Sequence, residues 1–595
     1  MAQWRCTVCN WVFDEEREGV KFEDLPADWV CPICSAPPSA FVKLGVEMVP
    51  FKEGEVKTCV AERMVKQFVA LGINCIYGIP GDSNLPLVDA IRNEEKIQFV
   101  LTRHEETAAF MASAHGKLTG EVGVCLSIAG PGTTNLMTGL VDAATDGAPV
   151  LALLGQIPQV FLGSEFLQEI DEIELFHPIS VYTETIAKPA QAINLTMLAV
   201  KSALINRGVS VLSLPTDILA EDLADEIWKP EEHLFEQRIV PTDADVEKAA
   251  KVINEYKKPV ILAGWGTRKG ASKELLDFAK KISAPIATTS RAKGVIPETH
   301  ELAVGVLGSI GTKYAATAMK EADLCIVIGS GFRQRNLVPD KPIIQIDIDG
   351  TRLGKWFPIK AGLIGDSKAV IQKLIEKVSA KEPDRTYFEK IKKIREEHFK
   401  ELKEHAKNMS IPIFPGLVIQ TIQKHANKDA IICVDVGDHT YWFYKHFMCE
   451  EQETLMSSNM ASMGFGLPAA LVAAIDFPDK QIICVTGDGG FAMVMADFTT
   501  AVRDNLPIKV ILFNDSKLKN IKKEQFFYGY PEYGTTFVNP NFAEFAKSCG
   551  GEGYRVEIPE DLDKAIEEAF TSDKPAIVDI IVDPEAFASI IKKAT

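Results

Sequence analysis

Buried-strand and amphipathic-helix patterns alternate along most of the chain. From residue 58 to about 230, the stretch VAERMVKQFVALG predicts an amphipathic helix, and VGVCLSIA and VLALLGQ predict buried strands. Residues 240–375 repeat the alternation with the strands PVILAG, LCIVIGS and IIQIDID, and residues 412–595 repeat it with AIICVDVG, QIICVTGDGG and IKVILFND. Because strands that alternate with helices form parallel sheets, we expect three doubly wound α/β domains.

Three other segments lie outside this alternation. Residues 376–411 are strongly charged and have helical spacing, which predicts a helical connector. Residues 1–45 are rich in aromatic residues and contain two Cys-x2-Cys pairs, and residues 46–57 have the composition of a linker. The sequence therefore predicts a small N-terminal domain ahead of the three α/β domains.

The overall composition favours a globular protein that acts on small molecules. A formal net charge of −18 disfavours nucleic acid as a partner. The sequence contains no apolar run long enough to span a membrane, and its N-terminus MAQWRCTVC lacks the apolar core of a secretory signal. Its C-terminus SIIKKAT offers one short, partly apolar helix, too small for firm binding to lipid. We therefore expect a cytoplasmic protein with no membrane partner.

The two N-terminal cysteine pairs predict a metal site formed by Cys6, Cys9, Cys31 and Cys34. Four thiolates in two such pairs form a tetrahedral site for iron or zinc. The surrounding aromatic residues are Trp4, Trp11, Phe13, Phe22, Trp29 and Phe41. An apolar shell of this kind suits a redox metal. The runs WRCTVC and FEDLPADWVCPICSAPPSAF resemble rubredoxin, which implies a single iron atom, with zinc as the alternative.

Polar residues follow two apolar strands in the last predicted domain. Asp488, Gly489 and Gly490 follow QIICVTG, and Asn514 and Asp515 follow IKVILF. Because the carboxyl ends of parallel strands meet at one edge of a sheet, the two aspartates can converge on one ion. Carboxylate oxygens suit Mg²⁺, and the glycines allow the backbone to approach a diphosphate. The pattern predicts a magnesium-diphosphate site, although a GDG run by itself also occurs in tight turns.

These GDG and ND motifs resemble the fingerprint of thiamine-diphosphate enzymes. The resemblance extends over residues 58–585, first to flavin-dependent pyruvate oxidases and next to acetolactate synthases. It implies that residues 58–230 bind the pyrimidine ring of the cofactor and that residues 240–375 bind FAD. Residues 412–595 would then bind the diphosphate and Mg²⁺.

The resemblance also implies individual site residues. The metal ligands would be Asp488, Asp515 and the backbone carbonyl of Lys517. Glu105, in LTRHEETAAF, would hydrogen-bond the aminopyrimidine ring and so promote formation of the cofactor carbanion. The remaining residues assigned in this way are Ala461, Ser462 and Met463, which pack on the cofactor with Met463 as a wedge beneath it, and Gln168, which faces the substrate.

Four positions depart from the family pattern. Asp515 stands where asparagine is usual, and we expect its extra charge to preserve Mg²⁺ binding and to alter diphosphate affinity. Lys519 and Asn520 replace a glycine and an apolar or aromatic residue beside the cofactor, and Leu167 replaces a phenylalanine before Gln168. These departures leave the shape of the substrate open.

Glycine-rich turns in the central domain are candidates for flavin binding. AGWGTRKGA, GVLGSIG and IGSGFRQRN are strand-to-helix turns that can admit a dinucleotide, although none is a GxGxxG motif. In this order, with IIQIDID, they resemble the FAD domain of pyruvate oxidases. The matching positions are Gly308, Ser309, Ile310, Gly311, Ser330, Gly331, Phe332, Arg333, Gln334 and Asp347. Acetolactate synthases also bind FAD on this domain, without using it for net redox chemistry.

Three functions are compatible with these motifs. The first is oxidative decarboxylation of pyruvate or a related 2-oxoacid through the thiamine diphosphate carbanion, with electrons passing to FAD, then to the fused iron and on to a redox acceptor protein. The second is an acetolactate-synthase-like carboligase in which FAD is not redox-active, and the third is an electron-transfer module on a degenerate enzyme body. The intact GDG and ND motifs and Glu105 disfavour the third. The fused iron centre disfavours the second, because a carboligase has no electrons to export.

The resemblance implies a homodimer or homotetramer. In the family, residues equivalent to Glu105 and Asp488 act on opposite ends of one cofactor that is held between two chains.

Overall fold

The computed structural model describes most of the chain, which divides into two compact units, Met1–Thr58 and Cys59–Thr595. The described residues are 3–6, 11–26, 29–33, 36–44, 58–224, 226–235, 238–268, 270–332 and 339–588, without the side chains of residues 5, 6, 39 and 42–44. Within these ranges, no helix is both long and apolar enough to cross a membrane.

The N-terminal unit contains a small antiparallel sheet over an aromatic core. β1 (Gln3–Cys6) lies between β2 (Val12–Asp14) and β3 (Phe41–Leu44), and α1 (Glu15–Glu18) follows β2. Phe13, Phe22, Cys31 and Phe41 are buried together, and Trp4, Trp11 and Trp29 pack against them. These rings supply, around Cys31, the apolar surroundings that the sequence predicts.

The second unit begins with an α/β domain built on a parallel sheet. Its strands are β4 (Cys75–Gly78), β5 (Gln98–Leu101), β6 (Gly123–Ser127), β7 (Val150–Gln156), β8 (Ser180–Thr185) and β9 (Val209–Pro215). Its helices are α2 (Val60–Ala70), α3 (Leu85–Arg92), α4 (Glu105–Leu118), α5 (Pro131–Asn135), α6 (Met137–Asp146), α7 (Glu172–Phe176), α8 (Ala192–Asn206) and α9 (Thr216–Ala220), followed by α10 (Pro230–His233). The strand order is β5-β4-β6-β7-β9-β8.

The central domain has the same architecture. Its strands are β10 (Pro259–Ala263), β11 (Ile286–Thr288), β12 (Ala303–Val306), β13 (Leu324–Ile328), β14 (Ile343–Asp347) and β15 (Ala361–Ile364). Its helices are α11 (Asp243–Glu255), α12 (Ser272–Lys281), α13 (Lys313–Glu321) and α14 (Ser367–Lys377). The parallel strands follow the order β12-β11-β10-β13-β14-β15.

A long helix, α15 (Arg385–His405), follows the central domain within the segment predicted as a charged connector. One of its faces is buried, because Tyr387, Ile391 and Leu402 are almost inaccessible to solvent. The hydroxyl of Tyr387 donates a hydrogen bond of 2.8 Å to the carbonyl oxygen of Ala318 in α13. The helix therefore packs on the central domain and exposes only its charged face.

The C-terminal domain repeats the parallel α/β architecture. Its strands are β16 (Ile431–Val434), β17 (Glu453–Leu455), β18 (Ile482–Gly487), β19 (Lys509–Asn514), β20 (Glu552–Val556) and β21 (Ala576–Ile581). Its helices are α16 (Pro415–His425), α17 (Asp438–His446), α18 (Gly466–Asp476), α19 (Asp488–Val494), α20 (Phe498–Arg503), α21 (Lys519–Phe527), α22 (Phe542–Ser548) and α23 (Leu562–Thr571). The order β17-β16-β18-β19-β21-β20 completes the predicted set of three doubly wound α/β domains.

The first and last of these domains share a core in which α4 packs against α18. The ring of Phe110 meets the ring of Phe465 edge-on, with 5.7 Å between their centroids. Beside them, the buried ammonium of Lys117 lies 2.6 Å from a carboxylate oxygen of Asp142 and 2.8 Å from one of Asp146. This packing fixes the helix that begins at Glu105 relative to the C-terminal domain.

Candidate cofactor and metal site

A cavity of about 260 Å³ lies in the C-terminal domain, where the order of the strands in the sheet reverses between β16 and β18. β16 has β17 on one side and β18 on the other, so the connections after β16 and β18 leave on opposite faces of the sheet. Ligands of doubly wound sheets bind at such switch points, outside the carboxyl ends of the strands. The cavity is lined by the turns that follow these strands, Gly437–His439 and Gly487–Gly490, and all of its lining residues lie between Pro415 and Val582.

Asp488 and Asp515 meet at this cavity, as the strand pattern predicts. β18 and β19 are paired with Gly487 opposite Phe513, which places the two following turns side by side. The Oδ2 atom of Asp488 accepts hydrogen bonds from the backbone N–H groups of Asp515, at 3.1 Å, and Ser516, at 2.6 Å. The Asp488 carboxylate is thereby fixed against the loop that carries Asp515.

The electrostatics of the two carboxylates favour a cation between them. Burial raises the pKa of Asp488, although hydrogen bonds to its carboxylate act in the opposite direction. Burial and the neighbouring charge of Asp488 raise the pKa of Asp515 to about 7. Two largely buried like charges of this kind are relieved by a hard divalent cation, and the oxygen donor set suits Mg²⁺.

Lys517 also lines the cavity, through a turn in which Ser516 has a left-handed φ of 57°. The Lys517 backbone N–H donates to Oδ1 of Asp515 at 3.1 Å, and its ammonium pairs with Glu532 at 2.9 Å. The side chain is thus engaged outside the cavity, which is compatible with the carbonyl role that the resemblance implies.

The segment before α18 forms another wall of the cavity. Ala461 and Met463 line it, whereas the backbone N–H of Ser462 donates to the hydroxyl of Ser457 at 2.9 Å. A Cβ atom added to Gly489 would lie 3.3 Å from the terminal methyl of Met463, tighter than most Cβ contacts. Glycine at this position therefore keeps the Met463 side chain close to the predicted diphosphate turn.

Four residues of the site were missed by the motif analysis. The buried carboxylate of Asp435 accepts from the backbone N–H of Gly464 at 3.0 Å, which ties the Met463 segment to β16. Asp438 and His439 line the cavity, and burial lowers the pKa of His439 to about 4. Asn539 donates to Asp488 from a loop 51 residues further along the chain. The run DVGDH after a buried strand was a usable signal for the first three, whereas Asn539 has no local signal.

One buried polar atom of the cavity wall has no hydrogen-bond partner among the described residues. Oδ1 of Asp438 is buried and has no hydrogen-bond partner among the described residues, while its Oδ2 accepts from the indole N–H of Trp442 at 2.9 Å. Buried polar atoms are nearly always paired in folded proteins, so an orphan on a cavity wall points to a bound ligand or water. The cavity therefore fits a polar ligand and a hard metal ion.

Glu105 and Gln168 lie together in the first α/β domain and not on this cavity. Glu105 is buried at the start of α4, and its Oε2 accepts from the amide of Asn135 at 3.0 Å. A Cβ atom on Gly132 would lie 3.0 Å from Oε1 of Glu105, and one on Gly130 would lie 2.8 Å from the carbonyl oxygen of Gln168. The two predicted residues thus border the same glycine-rich turn.

The central domain also has a switch point, between β10 and β13. The turns after these strands touch, because a Cβ atom on Gly264 would lie 2.4 Å from the carbonyl oxygen of Gly329. Ser330, Gly331 and Phe332 continue the second turn. The turn from Gly308 to Gly311 follows β12, and it is closed by a 3.0 Å hydrogen bond between the backbone groups of these two glycines.

Asp347 is buried at the carboxyl end of β14, where burial raises its pKa. Its Oδ1 accepts from the backbone N–H of Asp349 at 3.0 Å. The predicted flavin positions that the structure describes therefore follow β12 and β13 or, for Asp347, end β14. Arg333 and Gln334 lie outside the described residues. Bare backbone turns and one carboxylate at strand ends are groups that fit a dinucleotide.

The predicted cysteine site is described only at Cys31 and at the backbone of Cys6, which ends β1. Cys31 is 1% exposed within the aromatic core. Cys9 and Cys34 lie outside the described residues. The four-thiolate arrangement consequently stays a prediction from the sequence.

The fold and the cavity together are those of an α/β protein that can hold a polar ligand and a hard cation at the switch point of a doubly wound sheet. Family models agree: the N-terminal TPP binding domain of thiamine pyrophosphate enzymes matches residues 58–175, the central domain residues 246–374 and the C-terminal TPP binding domain residues 435–580. The rubredoxin model matches residues 3–41.

Curated relatives extend over nearly the whole chain. A putative thiamine pyrophosphate-containing protein, YdaP of Bacillus subtilis, is 41% identical over 86% of this chain and 90% of its own length. A probable acetolactate synthase large subunit of Methanococcus aeolicus is 32% identical over 89% and 93%, and a pyruvate oxidase of Lactiplantibacillus plantarum is 28% identical over 87% and 88%. The chain belongs to the thiamine pyrophosphate enzyme family and carries a rubredoxin-like region at its N-terminus, as the sequence motifs predict.

Proposed function

We propose that the protein oxidatively decarboxylates pyruvate or a related 2-oxoacid and exports the electrons through its rubredoxin-like iron. Pyruvate and water give acetate, CO2, two protons and two electrons, and phosphate in place of water gives acetyl phosphate. FAD, when bound, would supply an acceptor for the electron pair, and iron held by the N-terminal cysteines would supply a one-electron route to an external redox acceptor protein.

The main support for this proposal is that a rubredoxin-like region and a thiamine pyrophosphate enzyme occur in one chain. Residues 3–41 match rubredoxin, whereas residues 58–580 contain the matches to the thiamine pyrophosphate enzyme domains. A one-electron centre serves an enzyme whose reaction releases electrons. A carboligase has no such use for it.

Different residues of the chain would contact the diphosphate end and the aminopyrimidine end of the cofactor. When bound, thiamine diphosphate supplies the carbon nucleophile and FAD supplies the electron acceptor. Asp488, Asp515 and the Lys517 carbonyl would hold Mg²⁺ and through it the diphosphate, while Met463 would support the cofactor from the cavity wall. Glu105, oriented by Asn135, would exchange a proton with the aminopyrimidine ring.

The two parts of the proposed site lie in different domains of the chain. The cavity is lined by the C-terminal domain alone, and Glu105 lies against a turn of the first domain. We propose that Glu105 of one copy and Asp488 of a second copy act on the same cofactor, in a homodimer or homotetramer.

A second candidate function is supported by the relatives. The chain is 30–33% identical to several proteins named acetolactate synthase, which makes a carboligase with a non-redox FAD the competing proposal.

Anaerobic mixing of the purified holoenzyme with pyruvate separates the two proposals. We expect the visible flavin band to bleach first and the iron band afterwards, with release of CO2 and of acetate or acetyl phosphate. Formation of acetolactate without bleaching of either band would contradict the oxidase and support the carboligase.

A further inference from the structure

Lys519 places a buried positive charge on the wall of the cofactor cavity. It is the first residue of α21, and its side chain is only 3% exposed. Its Nζ atom donates to the carbonyl oxygen of Asp583 at 2.9 Å. An ammonium group taken out of water at this depth is costly unless it is paired, so its partners are functionally informative.

Two carboxylates of the cavity are those partners. Nζ of Lys519 lies 3.3 Å from Oδ2 of Asp438 and 3.6 Å from Oδ2 of Asp515. The two aspartates stand on separate elements, the start of α17 and the loop after β19, and Lys519 joins them. The other lysine among the lining residues, Lys517, has its ammonium engaged by Glu532.

The charges of the cavity explain the effect of the contacts between Lys519 and the two aspartates. Asp438, Asp488 and Asp515 together bring three carboxylates to a site that must also accept an anionic diphosphate. Mg²⁺ would offset part of this negative charge, and the ammonium of Lys519 offsets one further negative charge beside Asp515. Both Asp515 and Lys519 depart from the family pattern, and the added negative charge and the added positive charge lie in contact.

We propose that Lys519 is a positioning residue of the cofactor site, which clamps Asp438 and Asp515 and balances their charge so that a diphosphate can bind. This inference rests on the proposed thiamine diphosphate site and adds a residue to it. It predicts opposite effects on the two ligands of the cavity, because removing the ammonium makes the site more negative. A cation alone would bind at least as well as before, whereas the diphosphate would bind less well.

The test measures two affinities on the full-length apoenzyme. Calorimetry gives the Kd of thiamine diphosphate at fixed Mg²⁺, and the electron paramagnetic resonance signal of free Mn²⁺ gives the Kd of the metal without cofactor. In Lys519→Met we expect the Kd of thiamine diphosphate to rise at least about tenfold and that of Mn²⁺ not to rise. Lys522→Met is the matched control, since Lys522 lies three residues along α21 and pairs with Glu532 and Glu585.

The second half of the test removes the charge that Lys519 is proposed to balance. Asp515→Asn in the Lys519→Met background should restore the Kd of thiamine diphosphate to within about threefold of the wild-type value. Lys519→Gln with Asp438→Asn provides an independent pair should Lys519→Met not fold.

Three results would overturn the inference. An equal loss of thiamine diphosphate affinity in both Asp515 backgrounds would mean that Lys519 touches the diphosphate or merely packs. A parallel loss of Mn²⁺ and thiamine diphosphate would mean that the cavity has collapsed, and unchanged affinities would mean that the bridge has no role. Failure of the wild-type chain to bind thiamine diphosphate would instead defeat the proposed function together with this inference.

Discussion

Asn539 donates a hydrogen bond of 2.7 Å from its Nδ2 to the Oδ2 atom of Asp488. The same amide donates to Oδ1 of Asn514 at 2.9 Å, so one side chain joins the turn after β18 to the last residue of β19. Replacing a residue that orients a metal ligand in this way typically lowers metal affinity or activity about 10- to 100-fold. The proposed metal site therefore includes a contact from a residue outside both motifs that predict it.

The first prediction concerns this contact. Asn539→Ala should raise the Kd of Mg²⁺-dependent thiamine diphosphate binding by about 10- to 100-fold, because Asp488 loses the group that orients it. Turnover at saturating cofactor should change much less than the Kd. Calorimetry and steady-state kinetics separate the two quantities, and an unchanged Kd would show that the backbone N–H groups alone position Asp488.

The second prediction tests the proton-transfer role of Glu105. Glu105→Gln keeps the shape of the side chain and its contact with Asn135 but removes the carboxylate. We expect thiamine diphosphate to be retained and turnover to fall by about 10²-fold or more. Glu106→Gln, at the next position of α4, is the control. Near-normal turnover in Glu105→Gln would remove Glu105 from the mechanism.

The third prediction tests whether two chains share one site. Glu105→Gln and Asp488→Ala should each be inactive as homo-oligomers. Co-expression of the two variants should recover about one quarter of wild-type activity, because half of randomly paired dimers are mixed and each mixed dimer has one intact site. Activity of the total pool of co-expressed chains, without selection for mixed dimers, measures this recovery. If Glu105 and Asp488 served one site within a single chain, mixing would recover nothing.

The fourth prediction concerns the pH dependence of stability. Burial raises the pKa of Glu172 to about 7, although hydrogen bonds from the hydroxyls of Ser213 and Thr133 act in the opposite direction. Because the unfolded chain has an ordinary glutamate with a pKa near 4.5, it releases this proton at lower pH than the folded chain does. Stability should therefore fall as the pH rises from about 4.5 to 7, by up to about 3 kcal/mol.

Glu172→Gln removes this titration. The variant should have a higher thermal unfolding midpoint than the wild type at pH 8, and the difference should shrink toward pH 5. Glu174→Gln changes an exposed carboxylate on the same helix and serves as the control. A difference in midpoint that does not vary with pH would show that Glu172 does not titrate in this range.

Part of the site could be predicted from the sequence because it follows from local patterns. Asp488 and Asp515 each come directly after an apolar strand, and parallel pairing of neighbouring strands brings such positions together. The same argument applies to Asp347, at the end of IIQIDID. In these cases one strand and one polar residue carry the whole signal.

The rest of the site depends on contacts between distant segments. Asn539 lies in a loop with no strand before it, and Asp435 acts through a backbone N–H group 29 residues away. Lys519 was visible as a departure from the family pattern, but only the fold shows that it contacts Asp438 and Asp515. The buried face of α15 was likewise hidden by its high charge, since few apolar residues suffice to pack one side of a helix.

The central claim is that electrons leave the flavin through the iron of the same chain, and stopped-flow absorbance of a Cys6→Ser, Cys34→Ser variant tests it most directly. The variant lacks two of the four predicted thiolates and should not hold the iron. After anaerobic mixing with pyruvate, we expect its flavin to be reduced at the wild-type rate, while transfer to a one-electron acceptor protein such as cytochrome c is lost. Reduction of cytochrome c as fast as by the wild type would contradict the account.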